Sequence, residues 1–104
     1  MLASRMSHFV RVAALATLLA LAACQSAPVQ EMSDARQAIM VAREAGAADL
    51  AAVELAEAEK YLQDAEQRLD RQQYREARNA ALEAKLRAQQ ALKLSEASKG
   101  GGGD

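Results

Sequence analysis

Seven apolar residues in the middle of the chain recur at alternating steps of three and four, and this periodicity limits the possible folds more than any other feature. Such spacing places every member on one face of an α-helix, whereas a half-buried strand would alternate at every second residue. Small and large residues alternate along this face, so a neighbouring helix can approach closely with each leucine opposite an alanine. The seven residues are Ala48, Ala51, Leu55, Ala58, Leu62, Ala65 and Leu69.

Two further stripes share this helical period, one on each side of the central stripe. The first consists of Met32, Ala35, Ile39, Ala42 and Gly46, and the last of Tyr74, Ala77, Ala81, Ala84, Ala88 and Ala91. We therefore predict an all-α protein, in which a signal-peptide helix is followed by three alanine-rich helices in an antiparallel bundle or hairpin. The central stripe is either the internal core of this domain or an interface for self-association or a partner helix.

The register of the central stripe fails after Leu69, because polar residues occupy the positions that would continue it. A phase break at residues 70–73 indicates either a tight turn or one long helix with a stutter. We favour the turn, since it lets the third helix fold back onto the second. The third helix is then expected to end near Ala97, before a flexible glycine-rich tail at residues 99–104.

The other helix limits follow from residues that start or stop helices. Pro28 disfavours helix at the residue before it, so the first helix is expected over residues 31–45, with Ser33 or Asp34 as an alternative cap. Gly46 suits the position just beyond a helix end. Asp49 is the candidate cap of the second helix.

The N-terminal segment has the pattern of an export signal. Three residues that carry or can carry positive charge, Arg5, His8 and Arg11, precede an apolar run over residues 12–23. As a helix this run would span about 18 Å, whereas crossing the hydrocarbon core of a bilayer takes about 30 Å. That length is typical of the hydrophobic region of a signal peptide.

The apolar run ends in Leu21-Ala22-Ala23-Cys24, which resembles the lipobox of bacterial lipoproteins. The resemblance implies cleavage before Cys24, a thioether-linked diacylglycerol on its sulfur and acylation of the new N-terminus. We accordingly expect a signal peptide at residues 1–23, a lipidated spacer at 24–30 and a helical domain at 31–98. The expected partner is a membrane, bound through the lipid on Cys24. Gln25 favours the outer membrane, facing the periplasm, because aspartate at this position retains enteric lipoproteins in the inner membrane.

Charge and composition exclude several classes of function. Two of the 13 basic residues precede Cys24 and all 14 acidic residues follow it, so the chain after Cys24 has a net charge of 11 − 14 = −3. An acidic domain with interleaved signs argues against nucleic acid as a partner. The segment after Cys24 contains no histidine, and its carboxylates suit solvated helix faces with local ion pairs. We therefore expect no catalytic residues, no metal and no cofactor.

Four arginines form the one charge pattern that suggests binding. Arg68, Arg71, Arg75 and Arg78 are spaced 3-4-3, so on a continuous helix they would form a basic stripe for lipid phosphates or an anionic wall polymer. Across a turn they would instead cluster at a hairpin tip, and the alternative is a solvated face. Tyr61 and Tyr74 are expected to fill gaps in an alanine core with their hydroxyls at its rim, or else to form a sugar-stacking platform.

Several short motifs occur from Met32 to about Ala91. They are Ala38-Ile39, Ala45-Gly46-Ala47, Glu54-Leu55 with Ala58 and Leu62, and Tyr74-Arg75-Glu76-Ala77 with Ala80, Ala81 and Ala84. On these residues the chain resembles the DUF4398 lipoproteins, a family of unknown function in Gram-negative envelopes. The family commonly has proline two residues before the leucine of the Glu54-Leu55 pair, where this chain has Val53. The resemblance implies three helices and an envelope location, and it brings no known activity.

These features together lead us to expect a non-enzymatic, lipid-anchored envelope lipoprotein whose helical domain docks on another envelope component. The alternative is a structural lipoprotein that self-associates as an alanine zipper, similar to the murein lipoproteins. The chain departs from those proteins because Gly46 and the phase break interrupt its heptads.

Overall fold

A computed structural model describes residues 2–24 and 26–101, and the side chains of residues 4–18 and 26–101. The helices of this part of the chain are α1 (Leu2–Cys24), α2 (Val29–Glu44), α3 (Ala47–Leu50), α4 (Ala52–Asp70) and α5 (Tyr74–Gly101). It contains no strand, which confirms the all-α prediction. The described side chains of α1 are exposed. Among the described residues, no helix is both long enough and apolar enough to cross a bilayer.

Helices α2, α4 and α5 pack on one another, with α5 against both of the others. The stripes of the sequence form the core, since their central alanines are fully buried. One core cluster lies towards α3 and combines Ile39, Ala42, Ala47, Ala51, Leu55, Ala58, Ala88 and Ala91. A second lies towards the other end and combines Met32, Ala65, Ala80 and Ala81, with Leu69 partly buried against it. The central stripe is thus internal core.

The chain turns at residues 71–73, as the phase break predicted. The N–H of Gln73 donates to the Arg68 carbonyl at 2.9 Å and that of Gln72 to the Leu69 carbonyl at 2.9 Å. This pair of bonds is a Schellman motif, which needs a left-handed residue that is usually glycine. Gln72 takes that conformation here with φ of 61°. Because neither glycine nor proline occupies the turn, periodicity was the only sign of it.

Gly46 ends α2 as predicted, with φ of 91° directly after the helix. The predicted caps are wrong. Pro28, and neither Ser33 nor Asp34, precedes α2, so this helix starts two residues before Glu31. Asp49 lies inside the short α3, and the uncapped residue before α4 is Ala51. No side chain caps α3 or α4, and Ala47 and Ala51, at the start of α3 and just before α4, are buried in the core.

One predicted stripe position, one helix end and the length of the last stripe also differ. Ala48 is exposed, because α3 interrupts the helix that the stripe assumed. Helix α5 continues through Lys99 to Gly101 rather than ending near Ala97, so part of the predicted tail is helical, and residues 102–104 lie outside the described chain. The α5 stripe also extends to Ser95, which is fully buried. Its hydroxyl donates to the Ala91 carbonyl at 2.8 Å, which explains how a polar residue fits there.

Candidate interaction surfaces

The four arginines of the 3-4-3 pattern do not form one stripe, because the turn separates them. Arg68 lies on α4 and is paired with Asp64 at 3.0 Å, one helical turn away. Arg78 lies on α5, and its Nε donates to Glu31 Oε1 of α2 at 3.2 Å. These two arginines therefore serve contacts within the domain.

Arg71 and Arg75 are the exposed members of the set. Among the side chains of residues 4–18 and 26–101, no carboxylate is within ion-pair distance of either guanidinium. Asp70 and Glu76 are exposed beside them, so the charges of this end cancel. The turn thus presents two open guanidinium groups in a locally neutral surrounding.

The predicted lipidation residue precedes this end of the domain. The side chains of Cys24 and of its neighbours Leu21, Ala22 and Ala23 lie outside those described, and Gln25 lies outside the described residues. Ser26, two residues after Cys24, is placed by Arg78, whose Nη2 donates to the Ser26 carbonyl at 3.1 Å. The chain therefore leaves the domain next to the α4–α5 turn.

Carboxylates that the sequence assigned to local ion pairs mostly bridge helices instead. Glu66 pairs with Arg36 at 3.2 Å. Arg43, seven residues after Arg36, pairs with Glu59, which is seven residues before Glu66. The two pairs join α2 to α4, and they run in opposite directions along the two helices. Only an antiparallel arrangement produces this pattern, and it fixes the register of α2 on α4. Sequence reasoning missed Arg36 and Arg43: their heptad spacing places them on one face of α2 but does not show which helix packs there.

A third bridge joins α4 to α5 beside Tyr61. Arg87 pairs with Glu57 at 3.1 Å, and its guanidinium lies 5.9 Å from the centre of the Tyr61 ring. Glu57 and Arg87 are equally distant in sequence from Gln72, as hairpin partners should be. A groove of about 610 Å³ lies along these residues. Because Tyr61 is half-buried and one ring face meets Arg87, the ring fits the packing interpretation better than a sugar platform.

The outward side of α5 carries exposed apolar residues. Leu82 and Leu86 are 45% and 53% exposed. They belong to a 3-4-3-4 row that shares one helix face, and every member is exposed: Asn79, Leu82, Leu86, Gln89 and Lys93. We call this row the outer face of α5. The one charged residue of this row is Lys93. The nearby Glu83 is not part of the face, because it pairs with Arg87 and lines a groove between α4 and α5.

Metal binding was not expected from the sequence. Within the described part of the chain, no three histidine, cysteine, aspartate or glutamate side chains are grouped as ligands. The buried side-chain nitrogens and oxygens described there all have a hydrogen-bond partner.

Comparison with known proteins adds a family assignment. No curated protein and no solved structure matches the chain. The model of a domain of unknown function, DUF4398, matches residues 30–100, which include all of α3, α4 and the core of α2 and α5. Since this match covers more than half of the sequence, the chain belongs to the DUF4398 family.

Proposed function

We propose that the protein is a lipid-anchored, non-enzymatic envelope lipoprotein whose helical domain docks on another envelope component. The observation that carries the docking role is the outer face of α5, where Leu82 and Leu86 are about half exposed on a domain that buries its other stripes. Two exposed leucines one helical turn apart give this face the contiguous apolar area that a docking surface needs. Lys93 at the end of the row favours a partner that offers an acidic group beside an apolar groove.

The lipid anchor is supported by the residues that precede the domain. A basic start, an apolar run and Leu21-Ala22-Ala23-Cys24 occur in the order that lipoprotein processing requires. A cysteine with several acyl chains stays bound to its membrane, because two or more chains anchor stably where one binds marginally. We place the protein at the outer membrane, facing the periplasm. In this proposal α2, α4 and α5 form an antiparallel three-helix bundle in which α5 presents the docking face.

Self-association through the same face is the alternative, and charge argues against it. Copies anchored through the same residue point the same way, so they would pair in parallel. Parallel pairing along the outer face of α5 sets Lys93 against Lys93, and like charges opposite each other destabilise an interface. The alanine stripes are no substitute, because they are buried within the chain.

Photocrosslinking in intact cells tests the docking role. A photoreactive residue replaces Leu86, and a matched one replaces Met40, which is 54% exposed on α2 and outside the face. We expect one other envelope protein to be crosslinked from position 86 and not from position 40, and we expect Leu82→Asp to abolish that adduct. Adducts to the protein itself alone would replace docking by the self-associating alternative.

Metabolic labelling with a fatty acid tests the anchor separately. The unaltered protein should incorporate the label and run at mature length. The Cys24→Ala variant should remain an unlabelled precursor, because only the thiol can accept the lipid. A labelled, mature-length Cys24→Ala protein would contradict the assignment of the anchor.

A further inference from the structure

We propose that the domain stands on its membrane with the α4–α5 turn against the lipid headgroups, where Arg71 and Arg75 bind phospholipid phosphates. We call residues 69–75 together with residues 26–29 the turn end, and residues 45–51 the α3 end. The inference rests on the proposed lipid anchor at Cys24. It adds an orientation and a contact surface to it.

The first step is that the start of the domain is fastened to the turn end. Arg78 lies four residues after the first residue of α5, and it binds both the Ser26 carbonyl at 3.1 Å and Glu31 at 3.2 Å. Met32 is 1% exposed in a core cluster with Ala65, Ala80 and Ala81. Polar and apolar contacts thus hold residues 26–32 beside the turn.

The second step is the short distance from Ser26 to the lipid. Two residues of fully extended chain span at most about 7 Å. Cys24 therefore stays close to the turn end in every conformation of the linking residues. Because its acyl chains would lie in the bilayer, the turn end is the end of the domain nearest the headgroup layer.

The third step is the length of the bundle. Helix α4 has 19 residues, which corresponds to about 28 Å at 1.5 Å each. The α3 end is at the far end of this helix, so it points away from the membrane when the turn end lies on it. The two ends of the domain are accordingly expected at very different heights.

The fourth step concerns the chemistry of the turn end. Arg71 and Arg75 are exposed, and the side chains described here place no carboxylate in ion-pair range of them. The guanidinium group of arginine can donate to two phosphate oxygens at once. Phosphate is therefore a better ligand for Arg71 and Arg75 than a group with a single acceptor oxygen. Asp70 and Glu76 stand beside these arginines, and they suit the ammonium group of phosphatidylethanolamine. The mixed charges thus fit a zwitterionic headgroup, and a strongly anionic surface is not required.

Depth-dependent fluorescence quenching tests the orientation. The lipidated full-length product is reconstituted into phosphatidylethanolamine–phosphatidylglycerol vesicles that contain a lipid with a nitroxide on its headgroup. A fluorophore is attached to Gln73→Cys at the turn end or to Ala48→Cys at the α3 end, both exposed positions. We expect quenching at position 73 to exceed that at position 48 about fivefold or more, since the two differ in height by nearly the length of α4. Equal quenching, or stronger quenching at position 48, would overturn the inference.

A second comparison tests the arginine contacts. The double variant Arg71→Gln, Arg75→Gln should lower quenching at position 73 about twofold. The lipid on Cys24 still keeps the turn end near the membrane, but no arginine then holds residues 71–75 on the headgroup phosphates. Lys99→Gln, which removes one exposed charge of α5 beside Gly46 at the α3 end, is the control and should leave it unchanged. Unchanged quenching in the double variant would overturn the phosphate contacts.

Failure of the anchor itself would look different. A protein without lipid would not float with vesicles in a density gradient, and its free Cys24 thiol would take up a second fluorophore. That outcome overturns the anchor before any quenching is compared. A protein that floats but shows equal quenching keeps the anchor and loses only the orientation.

Discussion

The guanidinium of Arg78 binds both Glu31 and the Ser26 carbonyl. One side chain of α5 therefore holds the first turn of α2 and the chain that precedes this helix. The Arg78 and Glu31 side chains are 26% and 30% exposed, the least exposed of the described ion pairs. Partial burial weakens screening by solvent, so this pair should contribute more than the open pairs on α2 and α4. It also determines which end of the domain lies nearest Cys24.

Replacing Arg78 by alanine should lower the free energy of unfolding by about 1–2 kcal/mol, because an ion pair and a hydrogen bond to a carbonyl are lost together. Urea denaturation measures this, and amide exchange should accelerate at residues 29–32. Arg75→Ala is the matched control on the same helix and should change stability by less than about 0.5 kcal/mol. Equal effects of the two substitutions would show that the Arg78 contacts contribute nothing.

Removing the largest buried side chain should cost more. Met32→Ala leaves a cavity among Ala65, Ala80 and Ala81, whose short side chains cannot fill it, so we expect a loss of about 2–5 kcal/mol. Met40→Ala deletes the same atoms from a position that is 54% exposed, and it should cost less than about 0.5 kcal/mol. Thermal and urea unfolding of the two variants compare them directly, and similar losses would contradict the burial of Met32.

The buried alanines of α5 should tolerate no enlargement. Ala88 is fully buried between Ile39 of α2 and Leu55 of α4, so Ala88→Leu forces helices apart and should cost about 1–3 kcal/mol. Ala97→Leu adds the same atoms to an exposed position of α5, and stability should stay within about 0.5 kcal/mol. Should Ala88→Leu unfold at the same urea concentration as the unaltered protein, close packing at this alanine would be excluded.

Gly46 tests the corner between α2 and α3. Its φ of 91° suits glycine alone, while the nearest side-chain atom to an added Cβ, Leu50 Cδ1, is at an ordinary 3.5 Å. Gly46→Ala should therefore lose about 1–2 kcal/mol through backbone strain rather than a clash. Gly100→Ala, inside α5 with open space around it, should gain up to about 0.5 kcal/mol. Opposite signs in urea denaturation are the expected signature, and a neutral Gly46→Ala would contradict the left-handed corner.

Periodicity in the sequence was enough to predict the three main helices and their buried faces, although not where each helix begins and ends. Steps of three and four put Ile39, Leu55 and Ala88 on apolar faces, and all three are buried together. The break after Leu69 indicated the turn even without glycine, because a helix cannot keep an apolar face through a change of register. Gly46 signalled its own corner, since only a residue without a Cβ adopts that φ easily.

Packing of the helices determines which charged residues meet and where the start of the domain lies. Periodicity assigns a residue to a face but does not say which helix faces it, so the pairs of Arg36, Arg43 and Arg87 with carboxylates on α4 could not be read from spacing. Ion pairs between exposed groups are weak, and they form wherever packing of the apolar faces sets the register. That packing separates Arg68 and Arg78 from Arg71 and Arg75. The same packing brings Ser26 beside the first turns of α5, where burial of Met32 and the hydrogen bond from Arg78 hold the chain.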